Sequence, residues 1–345
     1  MSTPSTSALT VEMARRLRAT GEWRRLAEYG ASLSREQLLG EPELGYAYAA
    51  ASRRLGDVAR ALALAVQVEP AARRRGDRRL AAEVVNLVGN LLFESGRAEE
   101  AEQRFAELLD YASEQEDEEF TARASNNLGV LANVRGRRDL ALTYYQRALA
   151  AYQRLGNLLG LAQTHYNLGL SYRDLGFPGD ADAHFLRAVE YGGAEEDGDG
   201  AEPPARRWSE DVIANAETER ALLRAQSGDG TLAEWMARRA LGRFERMGDP
   251  VGVAHATRVL AAAARASGRD DLAIARLDEA LSIARDHADP LLRADVQRDR
   301  GLLLRDAGKP ADAREALLDA AEGFDVMGAA AEAVAMRAIA AGLEG

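Results

Sequence analysis

Three kinds of side chain in this sequence have the type and spacing to do something chemical: histidines, asparagines and arginines. His165, His184, His255 and His287 are the groups able to bind a metal or move a proton near neutral pH. None sits in a His-x3-His or His-Glu-x2-His spacing, and the chain has no cysteine, so no metal site and no thiolate chemistry is expected. Neither a Gly-x-Ser-x-Gly elbow nor a phosphate-cradling glycine loop occurs, so the expectation is a protein that is not an enzyme and needs no cofactor. The asparagines are more specific. Asn86, Asn90, Asn126 and Asn133, with Asn127 and Asn167 beside them, carry amides that both donate and accept. Such a file can hold an extended peptide backbone, or it can join neighbouring segments of its own chain. Arg173, Arg258, Arg265 and Arg298 can grip carboxylates with two donors, or pair with acids of their own chain.

The elements that position these groups announce themselves through glycine. Gly56, Gly96, Gly136 and Gly176 are 40 residues apart, and Gly228, Gly268 and Gly308 resume the same period. Alanine follows each by five, from Ala61 to Ala313. A fixed period of this size marks stacked repeats, and stacked repeats offer surfaces for binding. In one repeat, Ala122, Leu128, Gly129, Leu131 and Ala132 form an apolar stripe at helical spacing, and Gly136 ends that helix. Asp139 opens the next helix, whose stripe is Ala141, Tyr145, Ala148, Leu149 and Tyr152, closed by Gly156-Asn157. Each unit therefore reads as two antiparallel helices. Gly129, Ala141 and Ala148 are expected to be small because two helix backbones approach there.

This pattern resembles the tetratricopeptide repeat, whose signature runs aromatic-x2-Leu-Gly-x2-Tyr and then Ala-x3-Phe. It stands here as His165-x2-Leu168-Gly169-x2-Tyr172 and then Ala181-x3-Phe185. The match is strongest over residues 82–190. The period is 40 rather than about 34, and the terminal proline is absent. Those departures resemble the longer repeats of kinesin light chain, Leu-Gly-Asn-repeat adaptors and bacterial peptide-sensing regulators. The resemblance implies an all-α, right-handed superhelical solenoid of about eight antiparallel helix pairs with a C-terminal closing helix, and a groove that binds peptides. It also implies that the first helix of each pair lines a concave face. With Gly129 turned toward the second helix, the free positions are Arg123, Asn126, Val130 and Asn133. The neighbouring repeats supply Asn86 and Asn90, then Tyr166 and Arg173, with Asn167 one step round. Later repeats supply Arg258, Arg265 and Arg298. Over seven repeats these positions hold seven arginines and three acids in a chain of net charge −11. A modestly basic groove, suited to an acidic or carboxylate-bearing peptide, is expected.

The expected organisation is a disordered tail over 1–8 and a repeat array over 9–190. An acidic Gly/Pro loop follows over 191–205, then a second array over 206–328 and a closing helix over 329–345. The loop lacks the alternating ligands of a calcium site. Residues 1–80 carry a net charge of +5 and residues 81–120 a net of −10, which reads as attraction between adjacent repeats or as two patches for two partners. The run Arg73–Arg79 is expected to be solvated or paired within the chain. With no apolar run of membrane length and no signal segment, a cytoplasmic protein without a membrane partner is expected. The acidic balance and the absence of a stacking residue in each repeat argue against nucleic acid. The leading functional expectation is a protein- or peptide-binding scaffold or adaptor. The alternative is a peptide-sensing regulator acting on a transcription factor or enzyme through a partner, with the oligomeric state open between monomer and homodimer.

Overall fold

The computed structural model describes residues 6–196, 203–286, 290–326 and 329–343. Among the described residues there are eighteen helices and no strand. Two short helices, α1 (Thr6–Ala19) and α2 (Trp23–Ala31), turn at Gly21 and are followed by α3 (Arg35–Gly40). Then come the regular pairs: α4 (Pro42–Arg54) with α5 (Val58–Arg74), α6 (Arg78–Glu94) with α7 (Ala98–Gln115), α8 (Glu118–Val134) with α9 (Arg138–Leu155), and α10 (Leu158–Asp174) with α11 (Pro178–Glu196). The series continues as α12 (Pro203–Gln226) with α13 (Gly230–Met247), α14 (Pro250–Ala266) with α15 (Asp270–Asp286), and α16 (Pro290–Asp306) with α17 (Pro310–Val326). The last helix, α18 (Ala330–Ala341), covers the end of the array by setting Ala333, Met336 and Ala340 against Phe324. The solenoid of eight helix pairs and a closing helix is the one expected.

The boundaries differ from expectation in three places. Helix α1 begins at Thr6, so part of the expected tail is helical. Helix α11 runs to Glu196 and α12 starts at Pro203; the rest of the expected loop, residues 197–202, lies outside the described residues, as do residues 1–5. The third is α3, which the glycine period did not reveal. Ser34 and Gln37 form a reciprocal capping box at its start. By its contacts the chain divides into two compact units, Met1–Phe177 with Ala194–Trp208, and Pro178–Gly193 with Ser209–Gly345.

The turns show why the period is so strict. Gly136 has φ +72°, a conformation that costs an L-residue about 1–2 kcal/mol. The turns between pairs repeat the device at Gly76 and Gly156, but the equivalent position between them is Glu116, at φ 53°. After each of these turns an Asx side chain caps the next helix: Asp77 accepts from the Leu80 N–H at 2.9 Å, Asp117 from Phe120 at 3.0 Å, and Asn157 from Gly160 at 2.7 Å.

Within a pair, the small residue meets a ring rather than a backbone. A Cβ on Gly129 would lie 2.5 Å from the Tyr145 ring, and one on Gly89 2.6 Å from the Phe105 ring. Tyr145 and Phe105 are 1% and 2% exposed, so neither ring can swing out to make room. Two stability outcomes follow. Gly129→Leu lowers the urea unfolding free energy by roughly 1–3 kcal/mol through overpacking, and adding Tyr145→Ala recovers part of that loss. Glu116→Gly raises stability by about 1 kcal/mol, because it removes the left-handed strain at an exposed turn; an unchanged midpoint would place the strain elsewhere.

Candidate functional site

The first helix of each pair packs one side on its own partner and leaves a half-exposed strip on the other. In α6 that strip is Glu83, Asn86, Asn90 and Phe93; in α8 it is Arg123, Asn127, Val130 and Asn133; in α10 it is Tyr166, Asn167, Leu170 and Arg173. Asn126, expected on this strip, is instead 7% exposed. Its Oδ1 accepts from Asn167 Nδ2 at 3.1 Å and from Thr164 Oγ1 at 3.3 Å. One repeat earlier, Asn127 Nδ2 donates to Asn86 Oδ1 at 3.1 Å. Asn86, Asn126 and Asn167 thus use amide groups to join adjacent first helices. One step of 100° round α8 decides between burial and the strip, so Asn126 is inside and Asn127 faces out. Asn90 remains half-buried on the strip, and Asn133 has a buried Oδ1 without a hydrogen-bond partner.

The arginines expected to line the face are all placed against acids. Arg123 pairs with Glu83 at 3.1 Å and Glu119 at 2.7 Å. Burial opposes its charge, but the two carboxylates outweigh burial and raise its pKa. Glu83 also accepts from the Tyr46 hydroxyl at 3.1 Å, and the Arg18 guanidinium lies 5.2 Å from the Tyr46 ring. Burial, followed by the nearby Glu83 charge, lifts the Tyr46 phenol well above its ordinary range. This chain, Tyr46–Glu83–Arg123, crosses three repeats and was not anticipated from sequence. Arg173 pairs with its neighbour Asp174 at 2.9 Å.

In the second unit the structure brings Arg258, Arg265 and Arg298 together. They rim a cleft of about 580 Å³ between α12, α14 and α16, floored by Leu222, Ala261, Ala262, Leu302 and Leu303. Arg258 is deepest: its side chain is 10% exposed, with Nε 2.6 Å from Asp299 Oδ2 and NH1 3.7 Å from Asp295. Burial pushes its pKa down, while Asp299 and Asp295 push it up by more. Arg298 contacts Asp295 at 2.7 Å and Asp299 at 3.0 Å, and Arg265 contacts Asp306. The basic excess expected of this face is therefore offset by acids one position beyond the strip. Chemically, the cleft can seat an apolar side chain and offer guanidinium donors in exchange for its own aspartates.

Other sequence features resolve into packing. His165 is 3% exposed in the repeat's aromatic slot. His184 is partly buried, which lowers its pKa; His255 is half-buried, and His287 lies outside the described residues. In the basic run, Arg73 pairs with Glu69 and Glu107, Arg75 with Glu41, and Arg79 with Asp117 and Glu119. The pairs to Glu107, Asp117 and Glu119 join the basic segment to the acidic one that follows it, whereas Glu69 and Glu41 precede it. No described helix is long and apolar enough to cross a membrane.

The fold is thus an α-solenoid built of helical hairpins, with a cleft on its first-helix side. The resemblance to the tetratricopeptide repeat stands: residues 120–191 match the family model described as Tetratricopeptide repeat. No curated protein sequence matches the chain significantly. Solved structures do. A Rap protein complexed with competence and sporulation factor is 16% identical, with a TM-score of 0.61 over 98% of this chain and 97% of its own. The quorum sensor NprR from B. thuringiensis, in its apo form, is 12% identical, with a TM-score of 0.56 over 97% and 98%. A signal transduction ATPase with a tetratricopeptide repeat sensor, from Pyrococcus horikoshii, is 13% identical, with a TM-score of 0.65 over 96% of this chain and 50% of its own. At these identities the shared property is the fold.

The Arg258 network makes a specific stability prediction. Arg258→Met leaves Asp295 and Asp299 with one cation, Arg298, between them. The expected loss is roughly 2–3 kcal/mol in urea unfolding, below the usual range for a broken buried pair because both aspartates keep some solvent. Adding Asp299→Asn is expected to restore part of it.

Proposed function

We propose that this chain is a binding protein without catalytic function, which takes a peptide or a partner's extended segment along its first-helix face. The observation that carries the proposal is the second unit's cleft, where an apolar floor lies beneath Arg258, Arg265 and Arg298. Pockets that bind ligands combine mostly apolar walls with a few convergent polar groups, and this one does. The ligand is an acidic or carboxylate-bearing segment. An apolar side chain rests on Leu222, Ala262 and Leu302, and a carboxylate takes the place of Asp306 on Arg265, which is 45% exposed and so open to exchange. In the first unit, Asn90, Asn133, Tyr166 and Arg173 lie on the strip of that unit's own first helices, and their part is to hold backbone rather than to select sequence.

A regulatory reading also draws support. Two fold neighbours matched over nearly their whole length are a Rap protein bound to competence and sporulation factor and a quorum sensor. On that reading the bound segment is a signal, and control passes to a transcription factor or enzyme through a partner.

The test is to pan a random peptide library against the whole chain and against Arg265→Ala/Leu302→Ser. Enriched peptides carrying a carboxylate next to an apolar residue, with affinity at least about tenfold weaker for the double variant, are the expected result. Peptides that are basic, or that bind both proteins equally, overturn the reading. Small-angle scattering with and without an enriched peptide then separates a sensor, whose dimensions change, from a rigid scaffold.

A further inference from the structure

On the other side of α16, between α15 and α17, lies a furrow of about 500 Å³. Two of its α16 residues depart from the repeat signature, as Glu217 and Arg220 of α12 also do. In α10 the aromatic and leucine slots before Gly169 hold His165 and Leu168, both 3% exposed. In α16 the same slots before Gly301 hold Gln297 and Arg300. Two packing groups have become polar ones beneath a pair of second helices.

Gln297 is only 5% exposed. Its Nε2 donates to Asp319 Oδ2, which fixes the amide, because turning it over would set oxygen against a carboxylate. Its Oε1 is buried and has no hydrogen-bond partner among the described residues, and Gln297 is one of the residues that line the furrow. A buried acceptor left without a donor is unfavourable, so the site favours a ligand with an N–H to give. The walls carry the matching charge. Arg293 is held by Asp319, and Arg300 by Asp278 at 2.7 Å. Asp312 and Glu315, exposed on α17, line the same furrow, and no ion pair engages them among the described residues. Arg285 and Asp286 at the end of α15 offset each other in charge.

An uncharged donor would leave the two carboxylates unanswered. A metal ion is disfavoured, because among the described residues no three acids or histidines converge as ligands. A guanidinium satisfies both demands: its planar fork of five donors can meet a carboxylate with two N–H groups and an amide oxygen with another. We propose that the furrow formed by α15, α16 and α17 is a binding site for an arginine side chain on a basic segment of a partner protein, with Gln297 Oε1 as the buried acceptor and Asp312 and Glu315 as the charge. The site is separate from the first-helix cleft and does not depend on what binds there.

The test uses the full chain and a fluorescent acetyl-Gly-Arg-Arg-Arg-Gly amide, read by anisotropy, beside the same peptide with citrulline for arginine. Citrulline keeps the shape and loses the charge. The arginine peptide is expected to bind at least about tenfold tighter. Asp312→Asn/Glu315→Gln, changed only at exposed positions, is expected to weaken it at least about fivefold with no shift in the unfolding midpoint. Gln297→Leu is expected to weaken it at least about threefold. Asp270→Asn/Asp271→Asn, which removes two exposed acids elsewhere in the same unit, and Arg265→Ala in the other cleft are expected to leave it unchanged. Equal binding of the two peptides overturns the proposal. So does equal loss in the Asp270/Asp271 pair, which would make the attraction one of bulk charge, or full binding by Asp312→Asn/Glu315→Gln.

Discussion

How closely the two helices of a repeat can approach depends on a glycine on the first and a ring on the second. Gly89 under Phe105 and Gly129 under Tyr145 place aromatic carbons where a Cβ would otherwise be. Gly301 does the same for Leu317, with 2.7 Å from the ideal Cβ to Leu317 Cγ. Where the first helix has alanine, no ring faces it: Ala49 shares a core with Ala65, Ala221 with Ala237, and Ala261 with Leu277. Close approach on this side leaves the opposite strip of the first helix facing outward, and that strip carries the candidate binding face.

The second constraint acts between repeats. Polar side chains meet partners about one period away: Asn86 and Asn127, Asn126 and Asn167, Arg53 and Glu94, Arg258 and Asp299, Arg265 and Asp306 are each 41 residues apart. The spacing of one period plus one residue recurs because each first helix lies beside the next with a small, constant offset. Most of these ion pairs are exposed enough to contribute little one by one. The buried ones, Arg258 and the Asn126 amide, penalise any other register, since a slip would strand a charge or an acceptor out of water.

Much of this fold was legible because its signals are local. A left-handed turn needs glycine, an alanine five residues later marks a close contact, and both recur at 40. Helix α3 was missed because it lies outside that period, although Ser34-x-x-Gln37 was there to be read. Glu116 was missed because it occupies a glycine's place, and only the backbone reveals that it pays the conformational cost. The candidate face was legible as a set of positions but not as chemistry. Asn126 and Asn127 differ by a single step of helix, and the sequence alone does not fix rotation that finely. That Arg258, Arg265 and Arg298 could pair with acids of their own chain was legible; the partner of each was not, because the inter-repeat offset sets Arg258 against Asp299 and Arg265 against Asp306. Gln297 and Arg300 were visible all along as departures from the signature, but what a departure leaves behind depends on the helices above it.

The two sites proposed on either side of α16 therefore differ in the kind of recognition each would use. On the cleft side every arginine already has a carboxylate, so a ligand's acid gains only the difference between two similar ion pairs. Net affinity there must come from apolar burial on Leu222, Ala262 and Leu302, at about 25 cal/mol per Å², with the charges selecting orientation. On the furrow side, among the described residues, the amide oxygen of Gln297 has no partner to give up and no ion pair engages Asp312 or Glu315. Under the proposal, a guanidinium entering there breaks no ion pair of the described residues, so charge would contribute directly to affinity as well as to selection. One helix can hold both arrangements because Asp295, Arg298 and Asp299 share its cleft side while Arg293, Gln297 and Arg300 share its furrow side, the 100° step of the helix separating the two sets.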